Sequence, residues 1–326
     1  SEIRNGKDPI DERHALKRTN QTPTFGECAK IYISNQSGGW RNDKHTLQWS
    51  TTIEQYCTPI LNKPVDKITQ EDVLSILLPI WSDINETASR LRGRIEKVLG
   101  YAIAAKFRTE SNPAILKGSL EYLLPKVKRS TNHHPSLPWK EIQAFWQDLR
   151  AQEGVAKDAL AFLILTAARS GEVRGMTWGE VDFETATWTV PANRMKQGLA
   201  HTVPLSGPAI EILKAQPSGA SSDLIFWNRK KTSLSDMTLA AVIKRMNAKG
   251  ERKYLDPDGR IVTPHGFRSS FRMWAAEATT FPRDVAEFAL AHKLSNQVEA
   301  AYQRGTMYEK RIEMMHQWTS FVVAGC

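Results

Sequence analysis

The chain reads as a mainly α-helical protein with a small antiparallel β-sheet, an α+β fold in two domains. Three observations predict this. Apolar residues recur at helical spacing in both halves, most plainly at Ala88, Leu91, Ile95, Val98, Leu99 and Ala102. Two β-rich runs, Trp188-Thr-Val190 and His201-Thr-Val-Pro204, flank a polar stretch at 191–200 and suggest a hairpin. Between the halves, residues 106–130 carry six Lys/Arg against two Glu and are broken by Asn112-Pro113, Gly118 and Pro125, as in a basic interdomain strap.

At 326 residues the chain is long enough for two domains with their own cores. Lys and Arg number 44 against 35 Asp and Glu, a net charge of +9. That balance suits a polyanionic partner such as nucleic acid, although a basic surface also serves solubility. The three cysteines, Cys28, Cys57 and Cys326, are far apart and odd in number. They form neither a disulfide framework nor a metal-ligand cluster, and they fit a reducing cytoplasm. No apolar run reaches membrane-spanning length and no signal peptide is visible. The first residue is Ser1 rather than Met, which suggests a piece of a longer protein.

Residues 1–22 are polar and read as a connector. A helical domain follows over 23–118. Phe25, Ile31 and Ile33 mark its first helix and Leu47, Trp49, Ile53 and Tyr56 its second. Thr69-Gln-Glu-Asp72 is a capped start for a third. The longest, over about 85–106, buries the apolar stripe named above and carries Arg90, Arg94 and Lys97 on another. Those cations form either an ordinary solvated face or a ridge along DNA backbone, where each neutralised phosphate adds salt-sensitive affinity. A basic linker over 119–136 contributes Lys126, Lys128 and Arg129. It ends at His133-His134, which have no cysteine or carboxylate nearby and are expected to be solvent-exposed rather than metal ligands.

The second domain spans 137–326. It opens with a strongly apolar helix over 156–169, followed by the hairpin. Leu224-Ile-Phe-Trp227 has the character of a further strand. Helical patterns resume at 239–246, 269–278, 285–291 and 298–302. The last helix, over 309–323, shows Ile312, Met315, Trp318 and Val322 on one face.

Chemistry concentrates in this second domain. In Thr263-Pro-His-Gly-Phe-Arg268, His265 and Arg268 fall on one helical face, where a guanidinium fork and an imidazole can both hold a phosphate. A solvated helix start explains the same spacing. Leu165-Thr-Ala-Ala-Arg169-Ser-Gly-Glu172 ends an apolar helix at a Ser-Gly break. Arg169 can project there into a cleft with Glu172 fixing it, or simply cap the helix end. Lys196 lies at the hairpin tip, His292 ends a helix in Leu290-Ala-His-Lys, and Tyr302 follows ten residues later in Ala301-Tyr-Gln-Arg304.

Taken in order, Thr-Ala-Ala-Arg-Ser-Gly-Glu, the hairpin lysine, His-Gly-Phe-Arg, Ala-His and Ala-Tyr-Gln-Arg resemble the tyrosine recombinase (phage integrase) family. The closest likeness is to integrases of prophages and genomic islands. The helical half, closing at Ser111-Asn-Pro113, resembles the family's core-DNA-binding domain, and Gly6-Lys-Asp-Pro9 looks like the end of an arm-binding domain that precedes it. Two departures are Ala167-Ala168, where a glycine is frequent, and Ala291, where glycine before the histidine is usual.

The resemblance implies a C-shaped clamp on duplex DNA and a site-specific recombinase that integrates or excises a mobile element. Tyr302 would attack the scissile phosphate to give a 3′-phosphotyrosyl link, with Tyr308 next in line as nucleophile. Arg169 and Arg268 would clamp the phosphate oxygens and Lys196 would protonate the leaving 5′-oxygen. His265 would serve as base or donor, His292 as a further donor, and Glu172 as support. No metal or other cofactor is implied, because the cations occupy the role Mg²⁺ plays elsewhere. Partners would be attachment-site DNA, further copies of the chain up to a tetramer, and DNA-bending or directionality factors, in a bacterial cytoplasm at the nucleoid. A non-catalytic DNA-binding regulator and a type IB topoisomerase-like enzyme are the alternatives. Several cations gathered without DNA repel one another, so the free site is expected to be loosely ordered. The tail helix fits docking either on its own domain or on a neighbouring protomer.

Overall fold

The computed structural model describes residues 22–40, 43–127, 133–195, 197–250, 253–292 and 306–324. Two compact units divide it, Ser1–Ser130 and Thr131–Cys326.

In the first unit, α1 (Phe25–Ser37), α2 (Asp43–Tyr56), α3 (Gln70–Trp81) and α4 (Asn85–Ala104) share one core. Capping boxes start two of them. Glu27 N donates to Thr24 Oγ1 while Thr24 N donates to Glu27 Oε2, and Thr69 and Asp72 repeat the exchange, with Thr69 N 2.7 Å from Asp72 Oδ2. All six apolar positions of the α4 stripe are buried, as their periodicity demands. Leu47 is the exception to the expected core. It is 67 % exposed, because α2 turns Trp49 and Ile53 inward instead. Cys28 and Cys57 are free and fully buried, and burial first of all pushes each thiol up to about 12, which leaves them unreactive.

Much of the basic strap folds back onto this unit. Leu120 and Leu124 enter its core, and Trp81 Nε1 donates to Pro125 O at 2.9 Å. Arg108 is buried and ties two loops together through Val65 O at 2.7 Å and Ile68 O at 2.9 Å. Its charge thus satisfies carbonyls that have no helix or strand partner.

The second unit is built around α6 (Val155–Thr166), buried all round from Ala159 to Thr166, with α5 (Ile142–Arg150) before it and the short α7 (Ser170–Arg174) after it. A sheet follows, β1 (Val181–Asp182), β2 (Thr187–Val190) and β3 (His201–Pro204), antiparallel in that order, with Trp188 opposite Val203 and Val190 opposite His201. The hairpin forms as expected, with a third short strand at its edge. Residues 224–227 do not join it. They make only isolated bridges, Thr177 to Leu224 and Trp227 to Ser233, and bury the adjacent Ile225 and Phe226 instead of alternate side chains.

The remaining helices are α8 (Gly207–Lys214), α9 (Thr238–Lys249), α10 (Gly266–Ala278), α11 (Arg283–Ala289) and α12 (Tyr308–Val323). The helical pattern at 298–302 lies outside the described residues. The tail helix α12 packs on its own unit, burying Met314, Met315, Trp318 and Val322; Ile312 is only partly covered. Trp318 Nε1 donates to Ile164 O at 2.8 Å and Thr319 pairs with Ser206 at 2.9 Å. Among the described residues no helix is long and apolar enough to cross a membrane.

Candidate active site

Two left-handed turns shape the site. After α6 the chain reverses at Ala167 (φ 49°), and after α11 it reverses at Ala291 (φ 48°). The first turn sets Arg169 at the N-cap of α7, where Glu172 reaches back to it. Arg169 N and Nη1 donate to the two oxygens of that carboxylate at 2.8 and 2.7 Å, and Glu172 itself is buried. The other end of the guanidinium, Nη2, points to Ala291 O at 3.2 Å and Leu290 O at 3.4 Å.

Arg268 arrives from the first turn of α10 and is 4 % exposed. Its Nη1 donates to Ala167 O and its Nη2 to Leu290 O, both at 2.5 Å. Burial, then the neighbouring Arg169, draws its pKa down to about 10, so the guanidinium stays charged at neutral pH. Nη2 also lies 3.2 Å from His292 Nε2. An arginine can only donate, so Nε2 accepts and the ring proton sits on Nδ1, which faces Glu287 Oε2 at 2.8 Å. Glu287 also binds Arg272 at 2.8 Å. Burial raises its pKa, but the hydrogen bonds from Arg272 and His292 outweigh that and hold the carboxyl below its usual value.

His265 sits at the N-cap of α10, with its ring open to solvent on one side. Partial burial first, then His134, Arg268, Arg169 and His292, pull its pKa down to about 4. The ring is therefore unprotonated at neutral pH and available as a base. From the hairpin tip, Gln197 Nε2 donates to Ala291 O at 2.9 Å.

Arg169, Glu172, His265, Arg268 and His292 are thus brought together from three separate stretches of chain. Lys196 and Tyr302 lie outside the described residues, as do Lys128 and Arg129. The two guanidiniums are not loosely held, against the expectation from charge repulsion alone. Glu172 and the carbonyls of the two left-handed turns compensate them, much as a phosphate would.

The cationic positions of the first unit have varied surroundings. Arg90 pairs with Glu86 at 2.8 Å, Arg94 donates to Gln48 O at 2.7 Å, and Arg94 and Lys97 both lie over the Trp49 ring. Lys126 is exposed.

Three contributors, Glu287, Gln197 and His201, were not singled out from the sequence, and a fourth, His134, was read there only as a solvent-exposed histidine. Glu287 holds His292 and Gln197 touches the Ala291 carbonyl. His134 lies against His265, with ring centroids 4.3 Å apart; like His133 it is exposed, as expected. His201, on β3, is hydrogen-bonded to the Ala289 backbone, with Arg311, Glu172 and Arg169 as its charged neighbours. Only Glu287 had a usable signal, a carboxylate five residues before a histidine.

Two arginines and two histidines around one pair of carbonyl oxygens form a site for an oxyanion such as a phosphodiester. Comparison with known proteins agrees. Residues 136–308 match the model of the phage integrase family, and residues 25–119 match that of the phage integrase central domain. Prophage integrase IntZ of Escherichia coli K12 is 29 % identical over 98 % of this chain and 77 % of its own length. The integrase of Shigella phage Sf6 is 31 % identical over 97 % of this chain and 79 % of its own. A lambda integrase tetramer bound to a Holliday junction shares the fold, with a TM-score of 0.62 at 16 % identity over 88 % of this chain and 79 % of that one. The chain belongs to the phage integrase, or tyrosine recombinase, family. It is a site-specific integrase.

Proposed function

We propose that the chain cuts and rejoins duplex DNA at attachment sites through a 3′-phosphotyrosyl intermediate, integrating or excising a mobile element. The observation that carries this assignment of roles is the convergence of Arg169 and Arg268 on the Leu290–Ala291 carbonyls, with His265 and His292 alongside. A non-bridging phosphate oxygen would replace a carbonyl as the acceptor. In-line attack then requires a nucleophile and an acid from segments that reach this point.

Tyr302 forms the bond to phosphorus and gives up its proton to His265. Arg169 and Arg268 stabilise the charge on the phosphate oxygens, and Glu172 orients Arg169. His292 donates to the phosphate from Nε2 once the phosphate has drawn Arg268 off that nitrogen and a proton has taken its place, Glu287 holding Nδ1–H throughout. Lys196 supplies the proton for the departing 5′-oxygen. Because the phosphodiester energy is kept in the tyrosyl link, resealing needs no nucleotide. Arg90, Arg94, Lys97, Lys126, Lys128 and Arg129 contribute phosphate contacts along the duplex. Four copies assemble on paired sites, a reading supported by the lambda integrase tetramer on a Holliday junction. Accessory DNA-bending or directionality factors join them, and the work is done in the cytoplasm, at the nucleoid.

Covalent trapping on a nicked duplex that carries the element's crossover site tests the chemistry. Tyr302→Phe is expected to bind this DNA and leave no adduct; a persistent adduct would move the nucleophile to Tyr308. Lys196→Ala is expected to slow cleavage of a normal strand far more than of one with a 5′-thiolate leaving group. Equal slowing of both removes the acid role.

A further inference from the structure

The stretch leading into the second unit is fastened to the start of α10. Pro135 O accepts from Thr263 N at 3.0 Å and from Thr263 Oγ1 at 3.3 Å, and Leu137 O accepts from Ser270 Oγ at 2.5 Å. The approach is so close that a Cβ on Gly266 would stand 1.9 Å from Pro135 O, so only glycine fits there. One residue earlier, His134 is held against His265, with centroids 4.3 Å apart and the rings tilted by 54°.

Resting on the base role given to His265 above, we propose that His134 is a positioning residue for strand cleavage: its ring orients His265, and the pair carries one proton in preference to two. The contact is fixed from the backbone side by Pro135 and Leu137, so it is not a chance meeting of two surface side chains. Two imidazolium rings at this separation repel, which couples their titrations. The other groups around His265 are Arg268 on its own helix, Arg169 at the N-cap of α7 and His292 beyond α11, with Glu172 and Glu287 behind them. The two arginines are turned to the Leu290–Ala291 carbonyls, and His292 lies between Arg268 and Glu287. Among the described residues, His134 is the group in ring contact with His265.

The chemistry balances simply. The Tyr302 O–H bond breaks as its oxygen bonds to phosphorus, His265 takes that proton, and the 5′-oxygen leaves with a proton from Lys196. The proton then passes from His265 to solvent, and resealing runs the same steps backwards, with His265 taking a proton from solvent to return to Tyr302.

The test uses the full chain with His134→Phe, which keeps a ring without a charge, and His134→Ala, which keeps neither. The His265 Cε1–H signal is followed by NMR against pH in the free protein, and adduct formation on the nicked duplex is followed over the same range. Without His134 the His265 midpoint is expected to rise by about 0.7 of a pH unit, about fivefold in proton affinity. The acid limb of adduct formation is expected to rise with it. Well above that limb, His134→Ala should be slower than His134→Phe by about tenfold, from lost orientation. A midpoint unmoved in both variants overturns the proposal, and so does a midpoint that moves while the acid limb stays. A parent chain that forms no adduct at any pH instead sinks the assigned chemistry, while the NMR titration still judges the histidine pair. His134→Phe carries the test if the alanine variant does not fold.

Discussion

Arg169 and Arg268 meet at a single peptide oxygen. Leu290 O lies 2.5 Å from Arg268 Nη2 and 3.4 Å from Arg169 Nη2, although the two residues come from different helices. The like charges tolerate this because each guanidinium has a second acceptor, Glu172 for Arg169 and Ala167 O for Arg268. Arg268→Lys keeps the charge but loses the fork that spans Ala167 O and Leu290 O. Adduct formation is expected to fall by about 10²–10³, the range for one lost transition-state donor, with DNA affinity in a gel-shift assay little changed. Equal loss of affinity and adduct would make Arg268 a ground-state binding residue only.

The two alanines at left-handed positions lead to a second expectation. Ala167 and Ala291 hold positive φ where a Cβ costs about 1–2 kcal/mol, and their carbonyls face the arginines. Ala291→Gly and Ala167→Gly are each expected to stabilise the second unit by about 1 kcal/mol, after allowing for the freedom glycine gains when unfolded. Urea unfolding measures this directly. Destabilisation by either change would show that the methyl group's packing outweighs the backbone strain.

These turns also show what the sequence could and could not reveal. The helices were legible where burial is one-sided, as on α4, and where a side chain caps its own helix, as at Thr69. The arginines and histidines of the candidate site were legible as motifs. Their common target was not, because a backbone oxygen at Leu290 leaves no mark on residue identity. Leu47 misled because it keeps helical spacing yet faces water. Residues 224–227 misled because β-branched and aromatic side chains suit a buried loop as well as a strand. His201 drew no attention and His134 is read from the sequence only as a solvent-exposed histidine, because each acquires its neighbours only through tertiary contacts.

His201 makes stability depend on pH. Burial above all, then Arg311, with Arg169 as a lesser cation, lowers its pKa to about 4; Glu172 and the Ala289 backbone oppose the shift without cancelling it. The folded pKa lies below the unfolded one, near 6.5, so the unfolded chain binds the extra proton between them. The contribution is therefore complete above pH 6.5 and is lost as the pH falls from there toward 4, by up to about 3 kcal/mol. His201→Gln should flatten the slope of unfolding free energy over that window. An unchanged slope would place His201 in a hydrated setting and assign the acid sensitivity to other groups.

The tail helix provides the sharpest test of packing. Trp318 is fully buried, meets Phe271 edge-on at 5.4 Å and Trp274 at 5.1 Å, and donates its indole N–H to Ile164 O. That oxygen lies in the last turn of α6, where helical carbonyls lack partners of their own. Trp318→Ala would open a cavity and leave Ile164 O with only the long bond from Ala167 N at 3.4 Å, for an expected loss of about 3–5 kcal/mol. Trp318→Phe keeps most of the apolar contact and loses the hydrogen bond, so it should cost about 1–3 kcal/mol. Thermal unfolding of the free chain separates the two. If both variants melt like the parent, α12 does not lie on its own unit in solution, and the face formed by Met314, Met315, Trp318 and Val322 is left for a neighbouring copy.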